Sequence, residues 1–124
     1  MTDTHYTSKT ILGKEVLFRK FDGLLSIEEE INMLQYAVDN GLINENVSGM
    51  ILDMTAAQFD FGVGEGHKIV DYVSTVESLA KLKYAIIVDT PEKIIYPLLG
   101  ELHSEEALLK PFSTEEAAIH WVIT

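Results

Sequence analysis

The chain has 124 residues, of which 47% are apolar and 23% are charged, the balance of a globular domain and not of a disordered chain. Its formal net charge of −11 opposes binding to nucleic acid and to anionic lipid headgroups. The absence of cysteine excludes disulfides, thiolate metal ligands and a cysteine nucleophile.

The chain carries no sequence signal for export or membrane insertion. Residues 1–10 are polar, and the longest apolar runs are far too short to span a bilayer. We therefore expect a single domain over residues 1–124 in the cytoplasm, which the lack of cysteine also fits.

The N-terminal part predicts a β-hairpin followed by a helix. Residues 5–12 and 15–21 are strand-like and flank a turn at residues 13–14, where a glycine supplies the positive φ of a tight turn. Ser26 and Glu29 form a capping box, in which each side chain satisfies a backbone donor of the other. The apolar stripe and the C-terminal stop of the helix are Ile27, Ile31, Leu34, Val38 and Gly41.

The central part predicts two strands that are apolar on both faces, residues 47–54 and 84–89, as expected for strands covered by helices on both sides. Between them, the glycine-rich segment 60–66 leads into another helix. The apolar stripe of that helix is Ile69, Val73, Val76 and Ala80.

The C-terminal part predicts one irregular helix, one short strand and one final helix. Residues 90–91 are a threonine and a proline that favour a helix start, and Pro97 should kink the helix that follows. Residues 108–112 predict an edge strand, since the proline in it cannot donate to a ladder. Ser113 and Glu116 form a second capping box. The predicted inner face of the last helix is Ala117, Ala118, Trp121 and Val122.

The alternation of strands and helices predicts the α/β class. Short connections and right-handed crossovers make the later strands parallel. We expect an N-terminal hairpin and then alternating helices and strands, in a mixed sheet of about four or five strands with about four helices.

Three stretches of the sequence resemble a known family. They are residues 51–55, which end a strand with Asp53; residues 85–91, a doubly apolar strand that ends in an aspartate, a threonine and a proline; and residues 112–122, a phenylalanine and a capped turn followed by alanine and tryptophan. In this order the chain resembles the STAS-like family, in particular its short free-standing SpoIIAA-like members. The resemblance implies a non-enzymatic regulatory or interaction module.

One departure from the family pattern concerns regulation. In anti-sigma-factor antagonists of this family, an Asp-Ser-Ser-Gly turn carries a serine whose phosphorylation switches partner binding. The matching segment 60–64 has the aspartate but no hydroxyl side chain, so the resemblance does not support this switch. What it implies is protein binding through the loop 55–66, which contains two phenylalanines of the type that anchor interfaces. The predicted partner-binding residues are Thr55, Phe59, Asp60, Phe61, Gly62 and Gly64.

A second interpretation rests on the apolar segment 94–102. A helix that is apolar on nearly all sides is usually buried in a core, but it also fits a pocket wall, a membrane contact or a homodimer interface. The alternative function is a SEC14-like carrier of an apolar small molecule or lipid, with peripheral membrane contact. The predicted ligand or gate residues are Ile95, Tyr96, Pro97 and Leu99.

An enzyme is the third interpretation. Asp53 and Asp89 end neighbouring predicted strands, at the sheet edge where α/β proteins bind ligands, and two carboxylates suit magnesium binding or acid–base chemistry. We favour the simpler interpretation that each carboxylate accepts nearby backbone N–H groups. The sequence predicts no catalytic residues, no cofactor and no metal site, because no third ligand is evident and the four histidines are scattered.

Overall fold

The computed structural model describes residues 6–59, 67–89 and 109–124. The five strands of its sheet are β1 Tyr6–Ile11, β2 Lys14–Leu25, β3 Val47–Phe59, β4 Lys83–Ile87 and β5 Leu109–Phe112. The helices within the described ranges are α1 Ile27–Asp39, α2 His67–Thr75, α3 Glu77–Ala80 and α4 Glu115–Ile123. These elements confirm the predicted α/β class.

The strands form one mixed sheet in the order β1-β2-β3-β4-β5. β1 and β2 pair antiparallel, and each later neighbouring pair is parallel. The hairpin turn consists of Leu12 and Gly13, with φ values of 50° and 80°, one residue earlier than predicted. Two positive φ values in a two-residue loop match the right-handed twist of the flanking strands. The edge position predicted for the last strand is confirmed.

Helices cover both faces of the sheet. The first face, under α1, α2 and α3, holds the larger core, whose centre includes Phe21, Met50 and Ile86. The second face packs against α4 through Val16, Ile51, Ala85, Ile87, Ala118 and Val122. The strand residues alternate between these two cores, because successive side chains of a strand point to opposite faces.

Helix α1 follows its sequence signals closely. Ser26 caps it with an extended backbone, and its hydroxyl accepts the backbone N–H of Glu29 at 3.1 Å. Gly41 has a φ of 69°, and the N–H of Leu42 donates back to the carbonyl of Ala37 at 3.0 Å. The predicted cap and stop are therefore both confirmed.

Two helix predictions are wrong in detail. The single helix predicted after residue 66 is interrupted at Val76, which has an extended backbone (φ −103°, ψ 108°) that separates α2 from α3. The run of residues 73–76 contains three β-branched side chains, whose rotamers are restricted in a helix, and this weakens continuation.

The cap of α4 lies one residue later than predicted. Thr114, not Ser113, adopts the extended conformation, and its hydroxyl accepts the N–H of Ala117 at 3.2 Å. Glu116 is therefore the second helical residue and cannot complete a capping box. The inner face shifts too: Ala118 and Val122 are buried, Ala117 is exposed and Trp121 is half-buried.

Candidate functional site

Strand β3 extends well beyond its neighbour β4. Asp53 is the last β3 residue with a partner on β4, which is Ile87. Residues 56–59 of β3 continue in parallel pairing with residues 22–25 of β2. These two stretches form a projecting ribbon, which ends where segment 60–66 begins. The prediction that this strand ends at residue 54 is wrong, because pairing with β2 keeps the chain extended for five more residues.

The two faces of the projecting ribbon differ in exposure. Leu25 is buried and Ala57 packs against the larger core, so one face is anchored. Ala56 and Gln58 are exposed on the other face, and Leu24 on the neighbouring strand is 57% exposed. The ribbon is thus fixed by packing on one side, while on the other side its β3 strand presents uncharged side chains to solvent beside the exposed Asp22 of β2.

A bulge marks the start of the ribbon. The register between β2 and β3 shifts here, because Lys20 pairs with Asp53 but Asp22 pairs with Ala56. Thr55 donates its backbone N–H at 3.0 Å and its hydroxyl at 2.7 Å to the same carboxylate oxygen, Oδ1 of Asp53. The Asp53 carboxylate thus accepts this N–H group in place of a carbonyl from a neighbouring strand, as aspartate often does where the backbone is irregular.

The residues predicted to bind a partner are only partly described. Thr55 is exposed and lies at the bulge, and Phe59 is the last residue of β3. The other predicted partner-binding residues, Asp60, Phe61, Gly62 and Gly64, lie outside the described residues. So do the predicted apolar-ligand residues Ile95, Tyr96, Pro97 and Leu99.

The two aspartates of the enzyme interpretation do not occupy equivalent positions. Asp53 is half-buried in the middle of β3, not at its end, and its Oδ1 is engaged by Thr55. Asp89 is exposed, two residues beyond the end of β4. Asp53 therefore behaves as the simpler interpretation expects, as an acceptor for nearby backbone.

A cleft of about 400 Å³ lies on the second face of the sheet, beside the start of α4. Lys9 and Lys20 line it from β1 and β2, Asp53 and Glu115 line it from β3 and α4, and Phe18 contributes an aromatic ring. The ammonium of Lys9 lies 4.7 Å from the centre of that ring. The sequence shows the basic residues at 9 and 20, but only the sheet register brings them beside the two acids.

Sequence reasoning missed a buried charged cluster under α1. Arg19 is 1% exposed and Glu30 is 3% exposed, and Nη2 of Arg19 donates to Oε2 of Glu30. Nη1 of Arg19 donates to the Tyr6 hydroxyl at 2.6 Å, and that hydroxyl donates to the carbonyl of Met33 at 2.8 Å. The guanidinium carbon lies 3.8 Å from the centre of the Phe21 ring. The cluster ties both strands of the hairpin to α1.

Burial controls the protonation of this cluster. It raises the pKa of the Glu30 carboxyl, although the charge of Arg19 and its hydrogen bond act in the opposite direction. Burial also raises the pKa of Tyr6 to about 12, against the lowering effect of Arg19. Both shifts arise mainly from desolvation of the charged form. Arg19 and Glu30 are buried and Tyr6 is half-buried, so the cluster is suited to a structural role.

Two searches of the described residues add constraints. No group of three or more histidine, aspartate or glutamate side chains in residues 6–59, 67–89 and 109–124 is arranged to hold a metal ion. No helix within these ranges has the length and apolar character needed to cross a membrane.

Comparison with known proteins identifies the fold. No family model matches the sequence, and no curated protein matches it. An uncharacterized protein of the DUF3478 family from Shewanella loihica, described as having a SpoIIAA-like fold, superposes with a TM-score of 0.64 at 16% identity, covering 98% of this chain and 95% of the other. An anti-sigma factor antagonist from Mycobacterium paratuberculosis superposes with a TM-score of 0.57 at 12% identity, covering 98% and 96%. The chain therefore has the SpoIIAA-like fold, which confirms the resemblance at the level of the fold.

Proposed function

We propose that this chain is a non-enzymatic regulatory module that binds a protein partner through residues 55–66. One structural relative is an anti-sigma factor antagonist, a protein that acts on another protein. Fold likeness alone does not transfer function, so the proposal needs a site on this chain. The projecting ribbon of β2 and β3 supplies that site.

The observation that carries the proposal is the extension of β3 beyond β4. It holds Thr55, Ala56 and Gln58 in exposed positions on a strand whose opposite face is anchored in the core. It also ends next to segment 60–66, whose sequence contains Phe61 between an aspartate and a glycine. A strand anchored in the core that leads into a segment with an aromatic residue suits protein recognition, because hot spots combine aromatic anchors with a supporting scaffold.

The proposal excludes regulation by phosphorylation within residues 60–66, since this segment contains no serine, threonine or tyrosine. The nearest hydroxyl before it, on Thr55, donates to the carboxylate of Asp53 at 2.7 Å. Adding phosphate there would place its negative charge beside Asp53, which is unfavourable. Binding is therefore proposed to depend on partner concentration and not on modification of this loop.

The test is quantitative capture of partner proteins from the native host by the immobilised chain. Phe61→Ala removes the aromatic anchor and Gly64→Leu adds bulk to the loop, and each should reduce capture of a specific partner at least about tenfold, the loss of one hot spot. Leu12→Ala is the matched control. Leu12 is 87% exposed in the hairpin turn, at the opposite end of the sheet.

Circular dichroism and urea unfolding of each variant establish that the fold is retained. Absence of any specific partner would contradict the proposal. So would capture that survives both loop substitutions, or that is lost equally in Leu12→Ala.

A further inference from the structure

Within the described residues, the sheet has three strand edges without a paired neighbour, and these edges differ in how well they are protected. Among the described residues, β1 and β5 are the outer strands, and residues 55–59 of β3 lie past the end of β4. β1 carries Lys9, and β5 has only four residues, two of which are Lys110 and Pro111. Charges, proline and short length are the usual means by which proteins prevent an edge strand from pairing with another chain.

The β3 edge has neither a charged residue nor a proline. Residues 55–59 read Thr-Ala-Ala-Gln-Phe, without a charge or a proline. In the part of the chain that the structure describes, no strand pairs with them on the side away from β2. The composition of this edge therefore permits pairing with another strand, whereas charged residues or proline oppose such pairing at the two outer edges.

The hydrogen bonding of Thr55 marks the point beyond which β3 has no partner on β4. Its backbone N–H is satisfied at 3.0 Å by a carboxylate oxygen of Asp53, in place of a carbonyl from a neighbouring strand. An extended partner backbone would offer the carbonyls and N–H groups that alternate residues beyond Thr55 need, because only another strand matches their spacing.

We infer that the β3 edge at residues 55–59 accepts an extended segment of the partner protein as an added strand, and that this segment carries basic residues at its ends. This inference rests on the proposed function and specifies how the partner binds. The charge of the segment follows from Asp22, which is exposed and pairs with Ala56 on the adjacent strand, and from the net charge of −11 of the whole chain. The same net charge disfavours a second copy of this chain as the added strand.

The test uses a defined probe, a short synthetic peptide of alternating valine and threonine with lysine at both ends. A control form carries an N-methyl group on every valine and threonine, so that neither of its edges can donate a backbone hydrogen bond. Hydrogen exchange of the intact protein is followed by NMR at each amide. The unmethylated form should slow exchange of alternate amides in residues 55–59 about tenfold, the effect of one added hydrogen bond per amide, and the methylated form should not.

Gln58 is exposed on the edge strand, so two variants of opposite charge at this position form a matched pair. Gln58→Glu should strengthen binding of the lysine-flanked peptide about two- to fivefold, and Gln58→Lys should weaken it by a similar factor. A peptide flanked by glutamate should bind more weakly than the lysine form to the unmodified protein.

Strand addition at this edge is overturned if neither peptide form slows exchange in residues 55–59, if both forms do so equally, or if protection appears on β1 or β5 instead. The outcome is separable from that of the proposed function. Loss of partner capture in Phe61→Ala without any peptide protection refutes strand addition alone. Peptide protection with capture unchanged in both loop variants refutes loop-mediated capture alone.

Discussion

Replacing Arg19 by methionine tests the buried cluster most severely. The substitution removes the guanidinium that donates to Glu30 and Tyr6, and it leaves the carboxyl of Glu30, 3% exposed, without that cation. Breaking a buried ion pair by removing one partner costs about 3–5 kcal/mol. We expect Arg19→Met to lower the free energy of unfolding at neutral pH by this amount, a large fraction of the total stability of a small domain.

The second substitution of the cycle, Glu30→Leu, should restore much of this loss in the double variant. Nε of Arg19 has no hydrogen-bond partner among the described residues, so the native pair does not fully repay its desolvation. Replacing both buried charges by apolar side chains of similar volume is commonly neutral or stabilising by about 1–4 kcal/mol. The free energy of unfolding of the double variant should therefore equal or exceed that of the unmodified protein, with a margin of about 1 kcal/mol.

The deficit of Arg19→Met, meaning its loss in free energy of unfolding relative to the unmodified protein, should also depend on pH. Burial already raises the pKa of Glu30 above its ordinary value of 4.5, and removal of Arg19 eliminates an effect that lowers it. The folded variant then holds this proton to higher pH than the unfolded chain does. Its free energy of unfolding must fall as pH rises above 4.5, through the folded-state pKa. The deficit is smallest at acidic pH and largest at neutral pH.

Urea unfolding measures these differences in the free energy of unfolding directly, provided that the m-value, the slope of the free energy against urea concentration, is the same for every variant. The reasoning is refuted if Arg19→Met is as stable as the unmodified protein at neutral pH. It is equally refuted if the double variant remains as unstable as the single one.

Three further predictions concern packing, capping and alkaline stability. Gly49→Ala places a Cβ atom 2.5 Å from the carbonyl oxygen of Lys83, so urea unfolding should show that the free energy of unfolding falls by about 1–3 kcal/mol. An unchanged midpoint would contradict the close approach of β3 and β4. Thr114→Ala should cost about 1 kcal/mol through loss of the α4 cap, whereas Ser113→Ala should cost less than about 0.5 kcal/mol; the reverse order would place the cap at residue 113. Because the pKa of Tyr6 is raised to about 12, the free energy of unfolding should fall as pH rises from 10 towards 12. Tyr6→Phe should make this fall shallower when unfolding is measured as a function of pH.

Local signals in the sequence are sufficient for much of the fold. The capping box at Ser26, the stop at Gly41 and the doubly apolar strands depend on neighbouring residues only, so they can be predicted without tertiary contacts. The position of the α4 cap could not be predicted in this way. Ser113 and Thr114 are adjacent residues that both favour caps, and the end of β5 at Phe112 decides between them.

The length of β3 depends on tertiary structure. After Met54 the sequence turns to small and polar residues, which do not predict a strand on their own. Pairing with residues 22–25 of β2 extends it to Phe59. The projecting ribbon, and with it the unprotected edge, therefore becomes visible only in the register of the sheet.

The sequence around Arg19 does carry a signal for the burial of this residue. Residues Leu17, Arg19 and Phe21 alternate with period two, and the outer two are buried apolar residues, which places Arg19 on the same face. Its partner Glu30 had no comparable signal, because it closes a run of three glutamates in the first turn of α1, where acids are ordinarily solvated and favourable. Only the packing of α1 on the hairpin joins the two charges.

The most direct test of the central claim is amide hydrogen exchange of this chain alone and in complex with its captured partner. Exchange should slow in residues 55–66 and stay unchanged in the hairpin turn at Leu12 and Gly13, at the opposite end of the sheet. Protection confined to the hairpin turn or to α4, with residues 55–66 unchanged, would show that the partner binds elsewhere and would contradict the account.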